Sequence, residues 1–188
     1  MTLQEILNRT SEIDGWFSYD QQRILLPIVS SLPAKSIIME IGTYQGKSTM
    51  FYALANPEAF VITNDTCAFP WTSEFDPAGF RLQNNTIDPR ALNCGNIFQV
   101  VGRSSEIVKT FHLPIDLLFI DGHHIYEEVK QDINDWAKFI VKGGYLVLHD
   151  YDEPHQEVID AQKECFLSRE FMTYKPISID YNLGIFKK

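Results

Sequence analysis

The sequence has no apolar run approaching the roughly eighteen residues that cross a bilayer as a helix. Cysteine is scarce. Cys67, Cys94 and Cys165 are odd in number, widely spaced and free of any CxxC pair, which argues against a disulfide framework and against a cysteine zinc cage. Basic residues are also few: 16 Lys and Arg stand against 25 Asp and Glu, a formal charge of −9. That balance has the wrong sign for displacing counterions from a phosphate backbone, so nucleic acid is not expected as a partner. There is no internal repeat, low-complexity tract or Gly/Ser linker. Residues 1–16 are acidic and amphipathic, with neither a basic start nor an apolar signal core. The expectation is a cytoplasmic protein with no membrane partner.

What is present is an ordinary globular composition. The 188 residues are 45% apolar and 13% aromatic, enough for one domain that buries roughly 70% of its unfolded surface. Short apolar runs at 36–41, 60–63, 97–101, 115–120 and 144–148 read as buried strands. Residues 47–56 read as a helix, and Ile125, Val129, Ile133, Trp136 and Ile140 form one helical stripe. Strands alternating with helices predict a doubly wound α/β fold on a mostly parallel sheet. Residues 171–176 and 181–186 read as two further strands with no helix between them, so they should pair as an antiparallel hairpin. Ahead of the first strand, 3–13 and 21–32 suggest two helices, the second kinked or restarted at Pro27. Residues 66–96 form a long connection rich in aromatics and prolines, the kind of insert that serves as a lid or an extra packing element.

Residues 40–49, Glu-Ile-Gly-Thr-Tyr-Gln-Gly-Lys-Ser-Thr, join the first strand to the first helix of the sheet. Two readings compete with a plain turn. A phosphate loop would use the Gly-Lys-Ser ending, with Asp121 as a magnesium aspartate, but it needs four residues between its glycines and here there are three. A nucleoside pocket would use the carboxyl ends of the strands and an acid about 20 residues on; Asp65 follows the second strand. Tyr44 stands where a dinucleotide fingerprint has its second glycine, which favours a nucleoside without phosphates.

Glu-x-Gly-x-x-x-Gly-x-Ser, an acid after the second strand and a terminal hairpin resemble the class I S-adenosylmethionine-dependent methyltransferases. Asp121-Gly122-x-His124-x-Tyr126 and His149-Asp150-Tyr151 resemble, more narrowly, small-molecule O-methyltransferases, some of which methylate sugars on macrolides. The resemblance covers residues 36–188 and implies a single Rossmann-like sheet of seven strands, preceded by a helical extension over 1–35 and interrupted by the 66–96 insert. It implies that Glu40, Gly42, Tyr44, Gly46 and Ser48 line the methionine and ribose end of the cofactor. Asp65 would take the ribose hydroxyls, Gly102 and Ser104 would sit at the adenine edge, and Asp121 would also face the cofactor. For Ser104 an exposed loop serine is an equal alternative.

Asp121, His123, His124, His149 and Asp150 all fall just past the ends of the fourth and fifth strands, so the sheet should bring them together beside that pocket. Sugar or phenol hydroxyls are too weakly acidic to attack a methyl sulfonium near pH 7 unaided, which calls for a base, a metal or both. His124 matches the family's general base, with His123 adjacent. Asp121, His149 and Asp150 are the candidate ligands of a divalent metal, magnesium or manganese. Related enzymes often have an acid at the place of His149, so an imidazole-tolerant metal fits as well; a partner holding Asp150 is the other role for this histidine. The expected partner is a hydroxylated small molecule, and a homo-oligomer is left open. The rival functions are a phosphate-loop nucleotide enzyme and a catalytically silent interaction module. Phe69, Trp71 and Phe75 of the insert are expected to wall the acceptor pocket.

Overall fold

A computed structural model describes residues 1–66, 87–171 and 173–188. The strands are β1 (Ile37–Ile41), β2 (Phe60–Asp65), β3 (Ile97–Val101), β4 (Ile115–Ile120), β5 (Ile140–Leu148), β6 (Lys175–Asp180) and β7 (Leu183–Lys187). The helices are α1 (Leu3–Thr10), α2 (Tyr19–Ser30), α3 (Lys47–Ala55), α4 (Pro89–Leu92), α5 (Ser104–Ile107), α6 (Tyr126–Trp136) and α7 (Gln156–Cys165). One seven-stranded sheet runs β3-β2-β1-β4-β5-β7-β6, with β1 to β5 parallel and β7 antiparallel to both its neighbours.

Strand periodicity builds the two layers. Met39, Ile41, Leu118, Ile120, Leu146 and Leu148 face one side, where Val129, Ile133 and Trp136 of α6 and Val158 and Ala161 of α7 cover them. The alternate residues Ile38, Leu117, Phe119, Val147 and Ile185 face the other side, against Ile6 of α1, Leu25 and Val29 of α2, and Phe51 of α3. Residues 1–35 therefore supply part of the cover of the second face. Among the described residues no helix is long and apolar enough to cross a membrane.

Several boundaries differ from the sequence expectation. The hairpin is present, but its first strand is β6, four residues later than predicted. Phe171 and Tyr174, the apolar signal for that prediction, are buried against Phe166 below the sheet, while edge strand β6 has no buried face to leave a pattern. Tyr181 and Asn182 both have positive φ, as a two-residue hairpin turn requires. Ile140 begins β5 instead of ending the helical stripe. α2 runs unbroken through Pro27, which lies on its exposed side, where water can satisfy the carbonyl that loses its donor. Phe69, Trp71 and Phe75 of the insert lie outside the described residues.

The parallel register levels the carboxyl ends of the central strands. Ile41 pairs with Ile120 and Ile120 with Leu148, so Gly42, Asp121 and His149 leave the sheet side by side. The loops after β1 and β4 touch there: a Cβ on Gly42 would lie 2.0 Å from the Asp121 carbonyl oxygen, and its φ of +94° already disfavours a side chain. Gly42→Ala is therefore expected to destabilise the fold by at least about 2 kcal/mol, from overpacking plus left-handed strain, read as a lower urea midpoint at unchanged m.

Candidate active site

Glu40, the one charged residue of β1, is fully buried. Ser48 Oγ donates to it at 2.6 Å, Thr63 Oγ1 at 2.5 Å, and Thr49 Oγ1 donates as well. Three hydroxyls from α3 and β2 thus converge on one carboxylate beneath the glycine loop. Burial outweighs these hydrogen bonds and pushes Glu40 up to about 7. Glu40 and Ser48, expected to line the cofactor, are placed under the loop and bonded to each other.

The loop itself is held by its own backbone donors. Gly42 N–H bonds the Asn64 carbonyl at 2.8 Å, and Gly46 N–H the Thr43 carbonyl at 2.8 Å. Asp65 Oδ2 accepts from Thr43 N–H at 3.0 Å and Tyr44 N–H at 2.9 Å. A phosphate loop must offer such N–H groups to its ligand; here four of them are bonded to the protein. Lys47, the would-be phosphate lysine, donates to the Gly15 carbonyl at 3.1 Å. Tyr44 donates its hydroxyl to Asp14 and its ring lies 5.3 Å from that of Trp16, so the segment between α1 and α2 is fastened to the loop. Gly46 takes φ +85° to start α3.

At the adjoining rim, Gly102 N–H bonds the Asp65 carbonyl, and Asn64 Nδ2 donates to the Gly102 carbonyl at 2.8 Å. Ser104 opens α5 and donates to Asp132 of α6 at 2.5 Å, so it is not a free exposed serine.

The acid and histidine residues do converge. His149 Nδ1 lies 2.9 Å from Asp121 Oδ1 and 3.0 Å from Asp150 Oδ2, and the ring is only 5% exposed. Burial disfavours charge on this ring, and the two carboxylates outweigh it, raising its proton affinity to about 10. His124 Nε2 is 3.1 Å from Asp150 Oδ2, and burial pulls His124 below its ordinary value against the attraction of Asp150 and Asp121. Burial also works against the charge of Asp150, but His149, His124 and His155 hold it below the usual carboxylate range. His123 turns instead to Glu128 at 3.0 Å. Two groups have metal-ligating atoms within 4.8 Å of one another: Asp121 with His149 and Asp150, and His124 with Asp150 and His155. An open cleft of about 400 Å³ adjoins the second, lined by His123, His124, Ile125, Pro154, His155 and Glu157 among others.

Sequence reasoning missed two participants. His155 sits ahead of α7 with its ring 5.1 Å from that of His124. Gln21 of α2 reaches His149 from the far side, Nε2 to Nε2, at 3.0 Å. Gln21 closes the capping box of α2 with Ser18, but nothing local links it to a residue 128 positions away.

A model of the methyltransferase-domain family matches residues 39–151, more than half of the chain. The protein belongs to that family. The matched segment runs from Met39 in β1 to Tyr151, so it contains the glycine loop and the acid and histidine rim but not Gln21 or His155. A relative from Acanthamoeba polyphaga mimivirus, the uncharacterized protein R132, is 47% identical over 120 residues; these are 61% of this chain and 51% of that protein, so the match spans about half of the relative's length. Among solved structures, the O-methyltransferase from Bacillus cereus in complex with SAH superposes with a TM-score of 0.65 at 16% identity, covering 98% of this chain and 89% of that one. MycE methyltransferase from the mycinamycin biosynthetic pathway, in complex with Mg, SAH and mycinamycin VI, gives 0.67 at 13% identity, with 99% and 53% covered. At these identities the likeness shows a shared fold, that of the S-adenosylmethionine-dependent methyltransferases.

The buried acid of this methyltransferase fold makes a pH signature. Glu40 is protonated in the fold up to about pH 7 and ionises near 4.5 once unfolded, so stability falls as pH rises from about 4.5 through 7. The loss should reach up to about 3 kcal/mol, and Glu40→Gln should flatten the slope in urea melts between pH 5 and 8. An unchanged slope in that variant would show that Glu40 is not its source.

Proposed function

We propose that the protein transfers a methyl group from S-adenosylmethionine to a hydroxyl oxygen of a small molecule. The observation that carries this reading is the convergence of Asp121, His124, His149 and Asp150 at the strand ends next to the glycine loop. In it the cofactor lies over Gly42, Tyr44 and Gly46, with its ribose towards Asp65 and its adenine towards Gly102 and Ser104. Glu40 and Ser48 act from below, bracing the loop. Asp121 and Asp150 supply negative charge for the sulfonium end.

His124 is the general base. Burial keeps its imidazole neutral at pH 7, as a base must be. With Nε2 lying 3.1 Å from Asp150 Oδ2, Nδ1 is the nitrogen that takes the hydroxyl proton. The acceptor oxygen then bonds to the methyl carbon as the carbon–sulfur bond breaks, and S-adenosylhomocysteine leaves as a neutral thioether. The Asp150 carboxylate stabilises the imidazolium formed. The cleft beside His124 offers the acceptor both apolar surface, from Ile125 and Pro154, and polar groups.

Asp121 and Asp150 fit a divalent ion such as magnesium or manganese, which takes one or two carboxylates and keeps several waters. Such an ion, when bound, lowers the pKa of a chelated hydroxyl.

Binding and chemistry should separate on mutation. Asp65→Ala is expected to weaken S-adenosylhomocysteine binding by about 1.5–3 kcal/mol in calorimetry, the range for a hydrogen bond to a charged group. His124→Ala should leave that affinity near the wild-type value and slow turnover on a hydroxylated acceptor by roughly 10²–10⁴. The opposite pattern would remove His124 as base. Full turnover after exhaustive chelation would remove the ion and leave the base alone.

A further inference from the structure

Gln21 is 3% exposed, and both ends of its side-chain amide are fixed. Oε1 accepts the Ser18 backbone N–H at 2.7 Å, closing the capping box of α2. Nε2 lies 3.0 Å from the Tyr181 carbonyl oxygen, in the turn between β6 and β7. A backbone N–H can only donate and a carbonyl can only accept, so the amide cannot be reversed without losing both bonds. Its second hydrogen then points at His149 Nε2, 3.0 Å away. A nitrogen that faces a donor has to present its lone pair, and the ring hydrogen belongs on Nδ1.

We propose that Gln21 is a positioning residue of the methyl-transfer site: it holds His149 in the Nδ1–H form, so that His149 joins Asp121 to Asp150 from behind and is not itself a metal ligand. Ligation through Nδ1 would require that nitrogen bare and the hydrogen on Nε2, directly against the Gln21 amide. With His149 behind them, Asp121 and Asp150 are the groups that a cation in the cleft, sulfonium or divalent ion, would meet. α2 lies outside the matched family segment, so the N-terminal helices would contribute to the site as well as cover the sheet.

The proposal rests on the methyltransferase reading for its purpose but not for its test. In the whole unliganded protein with no added metal, ¹⁵N spectra of labelled histidines should show His149 with hydrogen on Nδ1. Gln21→Glu retains the capping acceptor but turns an oxygen towards the ring, and His149 should gain hydrogen on Nε2. Gln21→Met controls for loss of the amide without reversal of polarity, and circular dichroism confirms that each variant is folded. Turnover should fall roughly 10–100-fold in Gln21→Glu, the usual cost of disturbing a partner behind a ligand. A bare Nδ1 in the wild type overturns the proposal, as does a ring unchanged in folded Gln21→Glu. Since the spectra need neither cofactor nor acceptor, they stand whether or not methyl transfer is found.

Discussion

The contact between the Gly42 turn and the Asp121 backbone is the constraint on which the rest of the rim depends. Parallel pairing sets β1, β4 and β5 level, and only a residue without a side chain lets the first two loops meet at that height. With the loops in contact, Asp121 stands within reach of His149 and Asp150 on the next strand end. A β-carbon at residue 42 would separate the glycine turn from the acid and histidine cluster.

Charge is arranged in two levels around this contact. Glu40 lies in the protein beneath the turn, shared by three hydroxyls, where it fastens β1, β2 and α3 together. Asp121 and Asp150 lie above it at the rim, 24% and 15% exposed, with histidines around them. The lower carboxylate is costly to ionise and serves the scaffold. The upper pair stands where solvent and ligands can meet it. The same carboxyl group thus does different work at two depths, and desolvation makes the difference.

Much of the fold was legible because buried parallel strands announce themselves as short apolar runs; β3 and β4 match their runs to the residue. β6 was misplaced because an edge strand exposed on both faces carries no such run. α7 escaped notice since its buried stripe, Val158, Ala161, Gln162 and Cys165, contains only one strongly apolar residue. At the site, Asp121, His124, His149 and Asp150 were readable from their places after strand ends, where topology alone gathers them. What they bond to was not. Asp65 binding the loop's own N–H groups, Ser104 meeting Asp132 and Gln21 reaching His149 are long-range pairings, decided by how helices dock on the sheet, and no local pattern encodes them.

The central claim is that the pocket at these strand ends takes a sulfonium nucleoside. Calorimetry of the whole protein with S-adenosylmethionine and, separately, with magnesium ATP tests it most directly. The account predicts saturable one-site binding of S-adenosylmethionine and no heat from ATP, whose phosphates would find the loop's N–H groups already bonded. Saturable ATP binding with none for S-adenosylmethionine would contradict it.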